Sequence, residues 1–252
     1  MENAYQDPKA AQNYIAFLDS PNGKIQRWIL QDAILKALPA SSDITILDAG
    51  CGIGWLADKL ISDNHKTYAC DSSTALINEG KSRYPKVEFS NAGLQNSLPY
   101  PDDFFDCVIL NMAASDIADL AAVMKNLSAK LKTNGKLIMT IPNPFYTYPV
   151  AVWKRSPLDI LLGRKPTLKI VKPYQQYKNI ALSFGGDQKR QNVKIISNFY
   201  TLGDYQASAS SAGFCPAKIT ELKSQTDSLQ FDLNYQMFRY PLMLILEFSK
   251  CS

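Results

Sequence analysis

Apolar positions recur at three- and four-residue spacing over the first forty residues, and then the rhythm changes. Pro8 to Leu18 and Lys24 to Leu38 carry the helical period, and Asp19-Ser20-Pro21-Asn22-Gly23 between them has turn chemistry. Pro39 to Asp43 ends the second helix. Ile44 to Asp48 is a short β-branched run closed by glycines, the pattern of a strand buried on both faces. Ile53 to Ser62 reads as a helix, Lys66 to Asp71 as a second strand, and Ser72 or Ser73 caps a helix reaching about Tyr84. Lys86 to Ser90 and Phe105 to Asn111 are the third and fourth strands. A long helix over Asp116 to Leu131, stopped by Asn134-Gly135, leads to a fifth strand at Lys136 to Pro142. Strands alternating with helices predict right-handed crossovers and a parallel sheet covered on both sides.

Residues 143–200 break this order. Prolines stand at 144, 149, 157, 166 and 173 and glycines at 163, 185 and 186, among many aromatics. The segment holds ten bases (Lys154, Arg155, Arg164, Lys165, Lys169, Lys172, Lys178, Lys189, Arg190, Lys194) against two acids, Asp159 and Asp187. We read it as an insertion on the rim of the sheet, placed to act as a lid. Leu202 to Ser211 is then a helix stopped by Gly213, and Phe214 to Lys223 and Tyr240 to Lys250 are two final strands. One domain is expected, with N-terminal helices (1–40), a core (41–142), the insertion (143–200) and a C-terminal helix and strand pair (201–252).

Composition adds bounds. The net charge of +4 is too weak to imply nucleic acid by itself. Five scattered cysteines form no CxxC pair, so no metal is expected and the pattern argues for reduced thiols in a cytoplasm. Cys70 and Cys107 sit in apolar runs, as small hydrophobes do. The opening MENAYQDPKAAQNY lacks the basic and then apolar order of a signal peptide, and the apolar run Pro241 to Phe248 is too short to span a bilayer.

The chemistry concentrates at Asp48-Ala49-Gly50-Cys51-Gly52-Ile53-Gly54, between the first strand and its helix. Glycines there allow a sharp turn and close approach of a ligand, and the helix N-terminus adds N–H groups and partial positive charge. Gly52 to Ala57 also spells the dinucleotide pattern GxGxxA, and Asp71 at the next strand end suits ribose hydroxyls in either case. Asp48 discriminates: a carboxylate answers the ammonium of an amino-acid ligand and repels a pyrophosphate.

Together with YACDSS, NAGLQNSLPYPDDFFDCVILNM, LKTNGKLIMTIPNPF and FYTLGDYQASASSAGF, the stretch ILDAGCGIGWLADKL resembles class I S-adenosylmethionine-dependent methyltransferases, especially the small-molecule group that includes ubiquinone and menaquinone methylases. The resemblance is strong over about residues 40–142 and loose over 198–250. It implies an α/β, Rossmann-like, doubly wound sheet of seven mostly parallel strands with a C-terminal antiparallel strand. It implies S-adenosylmethionine as cofactor, S-adenosylhomocysteine as product, and methyl transfer to a small-molecule acceptor by in-line displacement. Asp48, Ala49, Gly50, Cys51, Gly52 and Gly54 would surround the methionine end. Asp71 would take both ribose hydroxyls, with Ser72 along the adenosine edge. Asn91-Ala92 stands where the family has Asp-Ala. The Asn91 carbonyl would accept from the adenine amino group, the next backbone N–H would reach a ring nitrogen, and the lost charge predicts weaker binding. Asn111-Met112 would approach the reactive sulfonium.

Relatives carry histidines beyond this point, where this chain has Ser115-Asp116. Asp116 reads as a helix N-cap or as an acceptor-side group. Tyr14, Asn143, Tyr146 and Tyr200 are the other acceptor-side candidates, each also readable as packing. Tyr14 and Arg27 could instead reach the cofactor's carboxylate end. Asn143-Pro144-Phe145-Tyr146 imitates an amino-methylating motif but follows the fifth strand, so it reads as a rim turn. His65 precedes the second strand, at the wrong end for catalysis. The basic insertion admits an anionic small molecule, RNA or a membrane-associated lipid, or serves only as a solvated lid. An RNA or protein methyltransferase, and a non-catalytic cofactor-binding protein, remain alternatives.

Overall fold

The computed structural model describes residues 4–41, 43–183, 194–225 and 232–251. Two helices open the chain, α1 (Pro8–Asp19) and α2 (Pro21–Ala37), each with proline in its first turn and a capping side chain before it. Asp7 accepts from Lys9 N–H, and Ser20 accepts from Gly23 N–H. The alternating core follows as β1 (Thr45–Ala49), α3 (Trp55–Ser62), β2 (Lys66–Asp71), α4 (Thr74–Arg83), β3 (Glu88–Asn91), β4 (Phe105–Asn111), α5 (Leu120–Lys130) and β5 (Leu131–Pro142). The insertion contains β6 (Ala151–Lys154), α6 (Pro157–Leu161), β7 (Thr167–Ile170), β8 (Tyr177–Ser183) and β9 (Lys194–Phe199). The chain ends with α7 (Leu202–Ser211), β10 (Lys218–Leu222), α8 (Leu233–Arg239) and β11 (Met243–Ser249).

Seven strands form one sheet in the order β10-β11-β5-β4-β1-β2-β3. β1 pairs parallel to both β2 and β4, whereas β11 runs antiparallel to β5 and β10. The expected Rossmann-like sheet with one antiparallel strand is therefore present. Alternate residues of each central strand enter opposite layers. Ile46, Cys107, Ile109 and Ile138 pack with Leu30, Ile34, Leu56 and Leu60. Leu47, Val108, Leu110 and Met139 pack with Val123, Met124, Leu127 and Ala209. In α5 the buried residues Leu120, Val123, Met124 and Leu127 follow the helical period. Glu247 fixes the antiparallel strand, bridging Lys136 and Lys218 at 3.0 Å each.

Several expectations change. The long helix begins at Leu120, because the Asp119 side chain accepts from Ala122 N–H at 3.0 Å. Asp116 is not its cap. Leu131 ends that helix and already pairs with Phe105, so β5 starts five residues before Lys136. Asn134-Gly135 makes its turn within an irregularity of the strand, Asn134 at φ 62°. The helix α8 was not anticipated. Cys215 and Cys251 form a disulfide with Cα atoms 5.5 Å apart, which corrects the expectation of five reduced thiols. Adjacent backbone bonds, Cys215 N–H to Ser249 O and Cys251 N–H to Gly213 O, hold the two segments side by side. Cys51, Cys70 and Cys107 are free and buried. No described helix is long and apolar enough to cross a membrane.

Among its described residues the insertion forms two antiparallel strand pairs, β6–β7 and β8–β9. Gly185, Gly186, Asp187, Lys189 and Arg190 lie outside the described residues.

Candidate cofactor and acceptor site

Strand order reverses between β1 and β4, which puts a crevice at their carboxyl ends. The turn after β1 has three glycines in left-handed conformation, Gly50, Gly52 and Gly54 at φ 69°, 57° and 77°. A Cβ on Gly50 would lie 2.9 Å from Ala113 Cβ, so this turn and the segment after β4 approach closely. On Gly52 it would meet the Tyr14 ring at 3.2 Å. On Gly54 it would lie 2.5 Å from Phe89 of β3, so this glycine serves packing rather than a ligand.

The amides of the turn are engaged inside the protein. Gly50 and Cys51 N–H donate to Cys70 O at 2.8 and 3.0 Å, Gly52 N–H to Asp71 Oδ2 at 2.9 Å, and Gly54 N–H to Cys51 O at 2.9 Å. These four amides are therefore not free for a ligand, and the donors expected of the helix N-terminus would have to come from the first turn of α3, which has no side-chain cap.

Asp48 lies in the buried part of β1, next to its last residue, with 1% of its surface exposed. Neither carboxylate oxygen has a hydrogen-bond partner. Burial and then the charge of Asp71 push its pKa up from 3.8 to about 7, and the Ala57 backbone N–H, outside good hydrogen-bond geometry, offsets part of the rise. An isolated buried carboxylate is costly unless a cation answers it. Asp71 differs: its oxygens accept from Gly52 N–H and from Ser73 N–H at 2.8 Å, which fixes the carboxylate plane. Burial still raises its pKa, against those donors.

Asn91 donates through Nδ2 to Asp71 O and Ser72 O, both at 3.4 Å, and so turns its carbonyl oxygen the other way. Ala92 N–H donates to Asp71 O at 3.0 Å. It is not free to reach a ring nitrogen, contrary to the expectation. At the end of β4 the Asn111 carbonyl accepts from Thr140 Oγ1 at 2.6 Å, and Met112 adopts φ 56°, its N–H donating to Thr140 O at 3.0 Å. Such left-handed backbone is uncommon outside glycine and concentrates at functional sites.

A roof covers the crevice. Ser73 Oγ donates to Tyr5 O and Gln6 Nε2 to Ser72 O, both at 2.6 Å, which ties the N-terminal 3-10 turn (Ala4–Gln6) to the start of α4. Tyr5 packs on Tyr14 with ring centroids 5.3 Å apart. Both phenol pKa values are raised, first by burial; Tyr5 then feels Asp116, and Tyr14 feels Asp71, Asp116 and Asp48. Asp48, Asp71 and Asp116 are thus all within electrostatic reach of the Tyr5–Tyr14 pair. From the other side β9 packs against the 3-10 turn Ala114–Asp116 and against the N-terminal turn. Ser197 Oγ donates to Asp116 Oδ1 at 3.1 Å, Asn198 Nδ2 to Ile117 O at 3.0 Å, and Tyr200 OH to Ile117 O at 2.7 Å.

Asp116 is half-buried beneath β9. Burial pushes its pKa from 3.8 to about 7, with Ser197 opposing and Asp71 adding. Beside it, Ser115, Pro144, Thr147, Tyr148, Ser197 and Tyr200 are among the residues lining a small cleft that opens to solvent. The remaining candidates do other work. Tyr200 has its hydroxyl on backbone carbonyls, and burial raises it to about 12. Tyr146 packs on Tyr240 at 5.6 Å. Asn143 is buried, donating to Pro241 O at 2.7 Å and accepting from Phe145 N–H at 3.1 Å, so it shapes the rim turn. Arg27 stands over the Trp55 ring at 5.9 Å, its buried Nε without a partner.

A family model described as a methyltransferase domain matches residues 23–214. This chain belongs to that family. A demethylmenaquinone methyltransferase from Beutenbergia cavernae is 30% identical over 131 residues, 52% of this chain and 51% of the relative. A malonyl-[acyl-carrier protein] O-methyltransferase from Erwinia pyrifoliae is 22% identical over 179 residues, 71% of this chain and 65% of that one. This methyltransferase-family chain thus spans about half to two thirds of the length of these relatives. Among solved structures, a Listeria monocytogenes protein described as a putative S-adenosylmethionine dependent methyltransferase superposes with a TM-score of 0.69 at 20% identity, covering 89% of this chain and 99% of that one.

Within this methyltransferase fold the sequence did not point to Tyr5, Gln6, Ser197 or Asn198. They reach the crevice across long stretches of chain, and no local motif marks them. The acids of Pro101-Asp102-Asp103-Phe104-Phe105-Asp106 prove to be structural: Asp102, Asp103 and Asp106 pair with Lys130, Lys250 and Lys132 at 2.6, 3.0 and 2.7 Å.

Proposed function

We propose that this protein transfers a methyl group from S-adenosylmethionine to a small-molecule acceptor. The observation that carries the reading is Asp48, a buried carboxylate with no partner for either oxygen, beside a glycine turn whose amides are already engaged. Such a carboxylate suits an ammonium and repels a phosphate. Asp48 would hold the amino group, and Arg27, with its unpartnered Nε, is a cation near the same turn for the carboxylate. Asp71, fixed by two backbone donors, keeps lone pairs for two ribose hydroxyls. The Asn91 carbonyl would accept from the adenine amino group. Ala49, Gly50, Cys51 and Gly52 would form the floor, and Ser72, Ala92, Asn111 and Met112 the walls. The bound cofactor supplies a methyl group activated on a sulfonium.

What the chain's own residues supply is alignment and exclusion of water. Tyr5 and Tyr14 roof the crevice, and Ser197, Asn198 and Tyr200 clamp the turn that carries Asp116. With a pKa of about 7, Asp116 is suited to take a proton from an acceptor of modest acidity. Support for a small acceptor comes from the roof: β9 and the N-terminal turn meet over the crevice, which leaves little access for a macromolecular surface. Thermal shift tests the cofactor. S-adenosylmethionine and S-adenosylhomocysteine raise the melting temperature and NAD does not. No shift with either sulfur compound would sink the proposal.

A further inference from the structure

The β6–β7 hairpin projects a tip that the cofactor site does not use. Between its strands the Ser156–Asp159 capping box closes the short helix α6. Leu158, Ile160, Leu161 and Leu162 are 58%, 61%, 80% and 52% exposed, and no residue of α6 is buried. Isolated exposed apolar residues are ordinary on a protein surface, but four within five consecutive positions form a patch. The foot of the hairpin is braced instead. Trp153 packs edge-on against Tyr240 at 5.6 Å, Lys165 Nζ lies 3.9 Å from the centre of the Tyr235 ring on α8, and Val171 N–H donates to Val150 O at 2.7 Å. The tip is thus held out from the body rather than folded onto it.

Charge around the tip is mostly positive, and its one acid, Asp159, lies 3.8 Å from Arg164. Lys154 and Arg155 precede α6, Arg164 follows it, and Lys169 stands on β7 opposite Val152, all four exposed. Asp159 is the only acid between 143 and 180, and Ser156 Oγ donates to its carboxylate at 2.6 Å. We propose that α6 and its basic neck dock this protein on an anionic lipid bilayer. The apolar tip enters the boundary of the acyl chains while the neck bases meet lipid phosphates. An apolar tip collared by bases complements a membrane surface on both counts, whereas a protein groove deep enough for the tip would need an acidic rim as well. The proposal rests on this surface alone and is independent of the methyl-transfer reading.

The test is cosedimentation of the full chain with vesicles of phosphatidylcholine alone and of phosphatidylcholine mixed with phosphatidylglycerol. Binding is expected to the mixed vesicles, with little to the neutral ones, and to weaken as salt is added. Lys154→Glu with Arg155→Glu lowers affinity at least about 25-fold, from roughly fivefold for each base near an anionic surface. Ile160→Asp with Leu161→Asp abolishes binding while thermal unfolding stays within a few degrees of the parent, since both side chains are exposed. Equal binding to neutral and anionic vesicles, or binding unchanged in the tip variant, overturns the proposal. So does self-association that the tip variant removes in a protein that ignores vesicles, which would make this face an interface between copies of the chain.

Discussion

Replacing Asp48 by Asn keeps the shape of the side chain and removes its charge. The folded carboxyl titrates at about 7 against 3.8 for a free one. Its folded pKa is raised, so the native chain binds more protons than the unfolded chain between roughly pH 4 and 7. Native stability therefore falls as pH rises through that window, and the full cost is present above it. A shift of about three units corresponds to about 4 kcal/mol, an upper bound because buried sites relax and admit water. The Asn amide is itself buried without a partner, which takes back about 1–3 kcal/mol. A net gain of about 1–2 kcal/mol at pH 8 raises the melting temperature by roughly 2–8 °C for a chain of this size. The gain shrinks towards zero or reverses at pH 5, where the parent carboxyl is already protonated. The assay is thermal unfolding of both proteins at pH 5 and pH 8, repeated with S-adenosylmethionine. In its presence the order inverts, because a charged hydrogen bond to the ammonium worth about 1.5–3 kcal/mol is gone, and affinity falls about ten- to a hundredfold. A variant less stable than its parent at pH 8, or a gain equal at both pH values, would refute the reasoning.

Four further outcomes are expected. Asp116→Asn lowers kcat about 10²- to 10³-fold, leaves cofactor affinity unchanged, and removes the limb near pH 7 from the pH–rate profile; a changed cofactor affinity in calorimetry would move Asp116 out of the acceptor side. Gly54→Ala places a Cβ 2.5 Å from Phe89 at φ 77°, and a loss of about 2–4 kcal/mol in urea unfolding is the expected cost. Cys251→Ser opens a loop of sequence separation 36 and costs up to about 4 kcal/mol, read as a melting difference that disappears when both proteins are measured in reductant. Contrary to the sequence expectation that the lost charge weakens binding, Asn91→Asp exchanges two weak donor contacts for a charge, so cofactor affinity by titration calorimetry changes less than about threefold, and a tenfold gain would show that the charge outweighs them.

The sheet was legible because each central strand is a short apolar run between turn residues, and its two buried faces leave few alternatives. Reading failed where long-range contacts decide. The sequence pointed to Asp116 as a cap and missed Asp119, which caps the helix where Ile117 and Ala118 are clamped from above by Asn198 and Tyr200. The partner of Cys215 is 36 residues away and becomes its neighbour only once β11 enters the sheet beside β5. Among the candidate site residues, Asp48 and Asp71 stand where the sequence placed them, in the carboxyl-terminal ends of β1 and β2. The engagement of the turn amides and of Ala92 N–H was not visible, since it depends on Cys70 O and Asp71 of the neighbouring strand.

The clamp of β9 on the turn after β4 also sets the acidity of Asp116. Most of the rise in the Asp116 pKa comes from the protein around it, and the bond from Ser197 pulls the other way. Were β9 drawn aside, water would reach Asp116 and the carboxyl would titrate as an ordinary acid, so the proton abstraction we propose for it belongs to the packed arrangement.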